Sequence, residues 1–140
     1  MAEASSFVLD SFALLAYLQD EPVASRIEKL LENAGQEKCY LFFSIINLGE
    51  LLYITERRGG VAKAQDALAL IRQLPIEIVS AAEQIVFAAA HIKANHALSY
   101  ADSFVVAVAI EQNATIITGD PEFQSVETLT KIEWLEISDS

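Results

Sequence analysis

Short apolar segments alternate with longer segments of helical periodicity along the chain. The strand-like segments are 6–9, 40–44, 76–79, 115–118 and 132–136. Four helical segments are 11–19, 45–58, 61–74 and 99–112. Another begins at 20–22 and ends at 33–35, and a further one opens with a capping box at 80–83 and continues to about 96. Because parallel strands need helical crossovers and are buried on both faces, this alternation predicts an α/β fold. The expected architecture is one three-layer α/β/α domain over residues 1–140, around a central, mainly parallel sheet of four to five strands.

Size and composition limit the class of protein. The chain has 140 residues, of which 53% are hydrophobic, which suits one well-packed core and is too short for two ordinary domains. Every apolar run is shorter than the roughly 18 residues that a membrane span needs. The first six residues lack the basic and apolar regions of a secretory signal. A soluble, cytoplasmic protein is therefore expected.

Four acidic residues stand where the chain leaves a predicted strand or enters a predicted helix. Asp10 and Asp120 follow the first and fourth strands, whereas Glu50 lies in the second turn of one helix and Asp102 in the first turn of another. In open parallel α/β sheets, ligands bind beyond the carboxyl ends of the strands, and helices that leave those ends begin at the same edge. If the fold brings the four carboxylates together, they form a site for a divalent cation, which would offset their mutual repulsion.

Each acid also has a simpler interpretation. Asp10 is a suitable cap for the helix that starts at 11, and Asp102 suits the third position of a helix that starts at Ser99. Asp120 suits a turn before Pro121, and Glu50 suits a solvated helix face. The helix that contains Asp102 continues as an apolar run over 104–110, so it is expected to be buried. An acid that opens a buried helix requires a partner, and this favours the cation site.

The four motifs resemble those of the PIN-domain ribonucleases, especially the VapC-type toxins of toxin–antitoxin pairs. Segment 8–17 is similar to the opening strand and helix of that family, and segment 21–31 to its second helix. Segments 44–52, 101–109 and 117–120 are similar to the second, third and fourth acidic motifs. The resemblance covers almost the whole chain, in the family's order and spacing, and implies a PIN-like domain.

The resemblance also implies an activity and its site. Asp10, Glu50, Asp102 and Asp120 would form the acidic pocket for Mg²⁺ or Mn²⁺ and act as the catalytic residues, because such hard cations prefer oxygen ligands. Ser44 and Thr118 would give polar support nearby. The implied reaction is the hydrolysis of RNA phosphodiester bonds by an activated water, with no protein nucleophile. The implied partners are a basic antitoxin, whose arm places Arg in the acidic pocket, and a second copy of the chain in a homodimer.

The overall charge bears on the choice of partner. A net charge of −11 repels a phosphate backbone, and the four acids account for only four of those charges. The remaining acidity therefore points to a basic protein partner. Arg57 and Arg58 are the favoured contacts with an RNA backbone, although a basic helix C-terminus is equally expected from the helix dipole. Aromatic and basic residues do not interleave along the chain as they do in single-strand binding platforms.

Two other classes of function remain open at this point. A non-catalytic module with the same fold could use its acidic surface to bind a basic protein. A phosphoacceptor signalling domain also combines clustered acids with Mg²⁺ in a small α/β fold. That class requires adjacent acids after the first strand, whereas Asp10 is followed by Ser11. The sequence therefore favours the metal-dependent endoribonuclease.

Overall fold

The five predicted strands form one parallel sheet. In the computed structural model, which describes residues 4–135, the strand order is β3-β2-β1-β4-β5, and each neighbouring pair is parallel. The strands are β1 (Ser5–Leu9), β2 (Cys39–Ser44), β3 (Glu77–Val79), β4 (Thr115–Thr118) and β5 (Ile132–Trp134). The predicted α/β class with a central parallel sheet is confirmed.

Six α-helices connect the strands. They are α1 (Ser11–Leu18), α2 (Ala24–Gly35), α3 (Ile45–Gly59), α4 (Val61–Gln73), α5 (Glu83–Asn95) and α6 (Tyr100–Gln112), and a 3₁₀ helix (Pro121–Val126) follows β4. Within residues 4–135, even the longest helix, at 15 residues, is too short to span a lipid bilayer.

The sheet is buried on both faces, because successive residues of a strand point to opposite sides. Val8, Phe42 and Ile116 belong to one apolar cluster, which α5 and α6 cover. Their neighbours Leu9, Phe43 and Ile117 belong to a second cluster, to which α1 to α4 contribute. These adjacent pairs of large apolar residues explain the continuous apolar strands of the sequence, and they account for the three layers.

The strand order places a crevice beside the central strand. From β1 the chain continues outward to β2 and β3 on one side, and it later returns to form β4 and β5 on the other. Such a reversal of strand order leaves a gap at the carboxyl edge of the sheet, between the helices that leave the two neighbouring strands. The gap lies between β1 and β4, the strands that precede Asp10 and Asp120.

Two predicted helix starts are wrong. The second helix begins at Ala24 rather than at 20–22, because Asp20 adopts a left-handed conformation (φ 53°) that ends α1 and interrupts the helical path. The predicted capping box at 80–83 does not form: α5 begins at Glu83 after Ala82, which provides no side-chain cap. By contrast, Ser99 caps α6, as the sequence suggested.

The predicted end of the last strand, at 136, lies outside the described residues.

Candidate metal centre

Asp10 lies directly after the central strand and is almost completely buried, with 1% of its surface exposed. One carboxylate oxygen accepts a hydrogen bond from the backbone N–H of Ala13 (2.8 Å), so Asp10 caps α1 as the simpler interpretation proposed. The other oxygen accepts from the hydroxyl of Thr118. Burial raises the pKa of Asp10 to about 7, and the charges of Asp120 and Glu50 add to this rise.

Thr118 connects two of the acids. It is the last residue of β4, and its buried hydroxyl donates to Asp10 while accepting from the backbone N–H of Asp120 (2.9 Å). Asp120 in turn caps the 3₁₀ helix, because its carboxylate accepts from the N–H of Glu122 (3.0 Å). The pairing of β1 with β4 thereby holds Asp10 and Asp120 at one edge of the sheet.

Asp102 reaches the same edge from α6. It occupies the third position after the cap Ser99, whose hydroxyl accepts from the Asp102 N–H (3.1 Å), and only 7% of its surface is exposed. The buried residues 102–109 of α6 include every face of the helix, which explains why the acid cannot turn to solvent. Burial raises the pKa of Asp102 to about 7, with further contributions from Asp10, Asp120 and Glu50. The four acids therefore act on one another electrostatically.

Glu50 is held by a residue that the sequence did not single out. The hydroxyl of Ser11 lies 2.6 Å from a carboxylate oxygen of Glu50 and 3.2 Å from the backbone oxygen of Asn47. Ser11 is buried at the start of α1, and Glu50 is half-buried in the second turn of α3. Packing of α1 against α3 thus brings Glu50 toward Asp10. In the sequence, the position of Ser11 next to Asp10 was the only sign that Ser11 contributes to the site.

Glu122 is a second residue that the sequence did not indicate. Carboxylate oxygens of Asp102, Asp120 and Glu122 lie within 4.8 Å of one another. Glu122 is exposed at the start of the 3₁₀ helix, so it forms the outer side of the cluster. Its spacing of two residues from Asp120 was the available signal, but an exposed Glu after Asp-Pro is also typical of an ordinary turn.

Asn47 joins the helices that contain the acids. Its side chain is fully buried, and its amide donates to the backbone oxygen of Ala101 (3.1 Å), the residue before Asp102. Its side-chain oxygen is buried without a hydrogen-bond partner among residues 4–135. A buried acceptor without a hydrogen-bond partner lowers the stability of the folded protein. Such acceptors occur at sites that bind a water or an ion.

The other predicted site residues are Ser44, Arg57 and Arg58. Ser44 is the buried cap of α3 and accepts from the N–H of Ile46 (3.2 Å), so it supports the helix that contains Glu50. Arg57 and Arg58 are exposed in the last turn of α3, about 10 Å along the helix from Glu50. The guanidinium of Arg57 lies 5.0 Å from the ring centre of Tyr53, and Arg58 lines a cavity of about 420 Å³.

The chemistry of the cluster fits a hard divalent cation. All its candidate ligands are carboxylate oxygens, which Mg²⁺ and Mn²⁺ prefer to nitrogen or sulfur. For an ion with bonds of 2.0–2.1 Å, ligand atoms stand at most roughly 4 Å apart. The oxygens of Asp102, Asp120 and Glu122 already lie within 4.8 Å of one another. Buried acids whose pKa values rise to about 7 are only partly ionised at neutral pH, and a positive charge nearby would favour their ionised form.

Replacing Thr118 by valine should destabilise the protein by about 1–3 kcal/mol at pH 8, because a buried carboxylate and the Asp120 N–H lose a partner while the shape is kept. Denaturant unfolding in EDTA would measure this change. Thr115→Val, earlier in the same strand and half-buried, is the matched control. Equal unfolding free energies for the two variants would contradict the role assigned to the Thr118 hydroxyl.

Comparisons with known proteins identify the family. The family model described as the PIN domain matches residues 7–129, which is most of the chain. No curated protein sequence matches the chain.

Solved structures share the fold. VapBC2 from Rickettsia felis, bound to a DNA fragment of its promoter, has 18% identity and a TM-score of 0.74, covering 94% of this chain and 99% of that one. DNA-bound VapBC from Salmonella typhimurium has 17% identity and a TM-score of 0.73, with coverage of 94% and 98%. VapC20 from Mycobacterium tuberculosis, a toxin that cleaves the sarcin–ricin loop, has 20% identity and a TM-score of 0.61, with coverage of 80% and 87%. Because the family model matches residues 7–129, which include all four predicted acids, the chain belongs to the PIN domain family.

Proposed function

We propose that the chain is a metal-dependent endoribonuclease and the toxin of a toxin–antitoxin pair. The observation that supports this most directly is the convergence of acids at one edge of the sheet. Thr118 connects Asp10 to Asp120, and carboxylate oxygens of Asp102, Asp120 and Glu122 lie within 4.8 Å of one another. Family membership supports a nuclease, and similarity in fold to VapBC complexes and to VapC20 supports a toxin that acts on RNA. The proposed cation is Mg²⁺ or Mn²⁺.

Some side chains of the site would bind the cation, and others would position those side chains. Asp10, Asp102 and Asp120 would hold the cation, with Glu50 and Glu122 at the sides of the cluster. Thr118 fixes the orientation of Asp10, and Ser11 fixes that of Glu50. A bound divalent cation would offset the charge of a phosphodiester and lower the pKa of water, so that hydrolysis becomes possible at neutral pH. Water would then lose a proton and attack the phosphorus. Either the P–O3′ or the P–O5′ bond would break, and the leaving oxygen would take up a proton to become a hydroxyl.

A basic antitoxin is the proposed protein partner, and a homodimer is the proposed assembly. The net charge of −11 suits a basic segment, and the structures with similar folds include VapBC toxin–antitoxin complexes. An Arg from such a segment would pair with the half-buried carboxylates, where charge-assisted hydrogen bonds are strong. Arg57 and Arg58 remain the proposed contacts with the RNA backbone, at some distance from the acids.

The purified protein should cleave RNA in Mg²⁺ or Mn²⁺ and lose that activity in EDTA. Gel analysis of a mixed cellular RNA, incubated with each metal in turn, would measure it. Restoration by Mg²⁺ or Mn²⁺ after dialysis would separate metal removal from irreversible damage. An intact RNA pool under all conditions would contradict the nuclease proposal. If the protein then still bound a basic peptide, the non-catalytic interaction module would replace it.

A further inference from the structure

Asn47 is a polar residue of α3 that is fully buried beside the acids. It precedes Glu50 by three residues, so the two side chains lie on one face of the helix. Asparagine is normally found at the surface of a protein, yet none of Asn47 is exposed. Burial of an amide is tolerated where its donor and acceptor atoms find partners. The partners of Asn47 therefore indicate what the residue does.

The contacts of Asn47 connect α3 to two other helices beside the acids. Its side-chain Nδ2 donates to the backbone oxygen of Ala101 (3.1 Å), which joins α3 to the start of α6 next to Asp102. The hydroxyl of Ser11, in α1, lies 3.2 Å from the backbone oxygen of Asn47 and 2.6 Å from the carboxylate of Glu50. Asn47 thus lies between the residue that holds Glu50 and the helix that contains Asp102.

The hydrogen bond to Ala101 also determines which atom of the Asn47 amide is left over. A backbone oxygen can only accept, so the NH₂ end of the amide faces α6 and Oδ1 faces another direction. Oδ1 is buried, and no group in the described part of the chain, residues 4–135, donates to it. This acceptor therefore needs a donor from outside that part of the protein.

Ionised acids cannot be that donor, because the oxygens of a carboxylate only accept hydrogen bonds. A water can donate. Mg²⁺ keeps several of its waters when it binds to the carboxylates of a protein, and a bound cation draws electrons from such waters and makes them stronger donors. The hydrated cation that suits the acidic cluster would therefore also supply a donor for the Asn47 oxygen.

We propose that Asn47 is a positioning residue of the cation site: its Oδ1 accepts a hydrogen bond from a water bound to the cation, while its Nδ2 holds the start of α6, and so Asp102, next to α3. This inference rests on the proposed metal-dependent function and adds a residue to it. Because the Asn47 amide carries no charge, it would strengthen cation binding without adding to the repulsion among the acids. Removal of such a partner typically weakens metal binding by roughly 10–100-fold.

Manganese binding would test this role. At pH 8, electron paramagnetic resonance of free Mn²⁺ should give a dissociation constant on the order of 10-fold higher for Asn47→Leu than for wild type. Asn95→Leu is the matched control, because it also removes an amide that donates to a backbone oxygen (His91, 2.9 Å), at the exposed end of α5. Its dissociation constant should equal that of wild type. Melting by circular dichroism in EDTA would verify that each variant is folded.

Two further measurements separate a contact with the cation's water from a purely structural role. In RNA cleavage, Asn47→Leu should need about 10-fold more Mg²⁺ for its half-maximal rate and approach the wild-type kcat at saturation. At saturating Mn²⁺, NMR relaxation of solvent water should show that a bound water exchanges on the order of 5-fold faster in Asn47→Leu, because one hydrogen bond that retains it is lost.

The possible outcomes are distinct. Mn²⁺ binding with equal dissociation constants for wild type and Asn47→Leu would overturn the role of Asn47 and leave the cation site. Weaker binding with unchanged water exchange would also overturn it, since Asn47 would then act on the fold alone. The expected differences in binding and exchange, without any RNA cleavage by wild type, would support the role of Asn47 and overturn the nuclease proposal. Absence of Mn²⁺ binding by wild type would overturn both.

Discussion

Replacing Asp102 by asparagine should lower RNA cleavage in Mg²⁺ or Mn²⁺ by at least about 100-fold, because the cation loses a charged ligand at the centre of the cluster. The fold should survive. The residue 102 N–H can still donate to Ser99, which caps α6. A neutral amide also occupies the buried position without repulsion from the other three acids. Steady-state kinetics, together with thermal melting, would measure both effects.

Asp66→Asn is the matched control for this change. It removes the same charge from an exposed position on α4 and alters the net charge of −11 equally. Its cleavage rate should equal that of wild type. If wild type and Asp102→Asn cleaved equally well, the acidic cluster would have no part in catalysis, and a contaminating nuclease would explain the activity.

Without divalent cations, the protein should lose stability as the pH rises from about 4 to about 7. The pKa of Asp10 rises in the folded state from 3.8 to about 7, so over this range the folded state binds more protons than the unfolded state. The free energy of unfolding therefore falls as pH increases, and it becomes flat above pH 7. For Asp10 the loss is about 4 kcal/mol, and Asp102 shifts in the same direction.

Denaturant unfolding in EDTA at several pH values would measure this dependence. Asp10→Asn should be more stable than wild type at pH 8, because an amide still caps α1 and can still pair with Thr118 without carrying charge. Adding Mg²⁺ or Mn²⁺ at pH 8 should stabilise wild type and leave Asp10→Asn nearly unchanged.

Glu28→Gln, on the exposed side of α2, removes one charge outside the cluster and should follow the wild-type pH dependence. If Asp10→Asn showed the same loss of stability between pH 4 and 7 as wild type, the buried carboxylate would not be its source. A variant less stable than wild type at pH 8 would likewise contradict the assigned electrostatic cost.

The fold was predictable because its signals are local. Adjacent pairs such as Phe42 with Phe43 and Ile116 with Ile117 mark strands that are buried on both sides, and both pairs lie in the sheet. Helix starts were less predictable, because they depend on single backbone conformations. The left-handed conformation of Asp20 leaves no periodic signal, and this displaced the expected start of α2.

The positions of the acids were also accessible from the sequence, but their supports were not. Asp10 and Asp120 follow strands that pair, and strand ends can be counted along a chain. The hydrogen bond from Ser11 to Glu50 depends on how α1 packs against α3, across 39 residues of sequence. The close approach of the Phe12 ring to Gly119 joins two segments that lie far apart in the sequence, and no local pattern encodes it. Contacts between distant segments require the three-dimensional packing.

Two of the acids have a second role that gives this site an evolutionary consequence. Asp10 and Asp120 each accept a backbone N–H at the start of a helical segment, so the fold uses carboxylates that the cation site would also use. Asparagine caps helices as well as aspartate does. A single acid-to-amide mutation at either position should therefore remove a proposed ligand of the cation while preserving the architecture. Descendants of such a chain can persist as binding proteins without first passing through an unfolded intermediate.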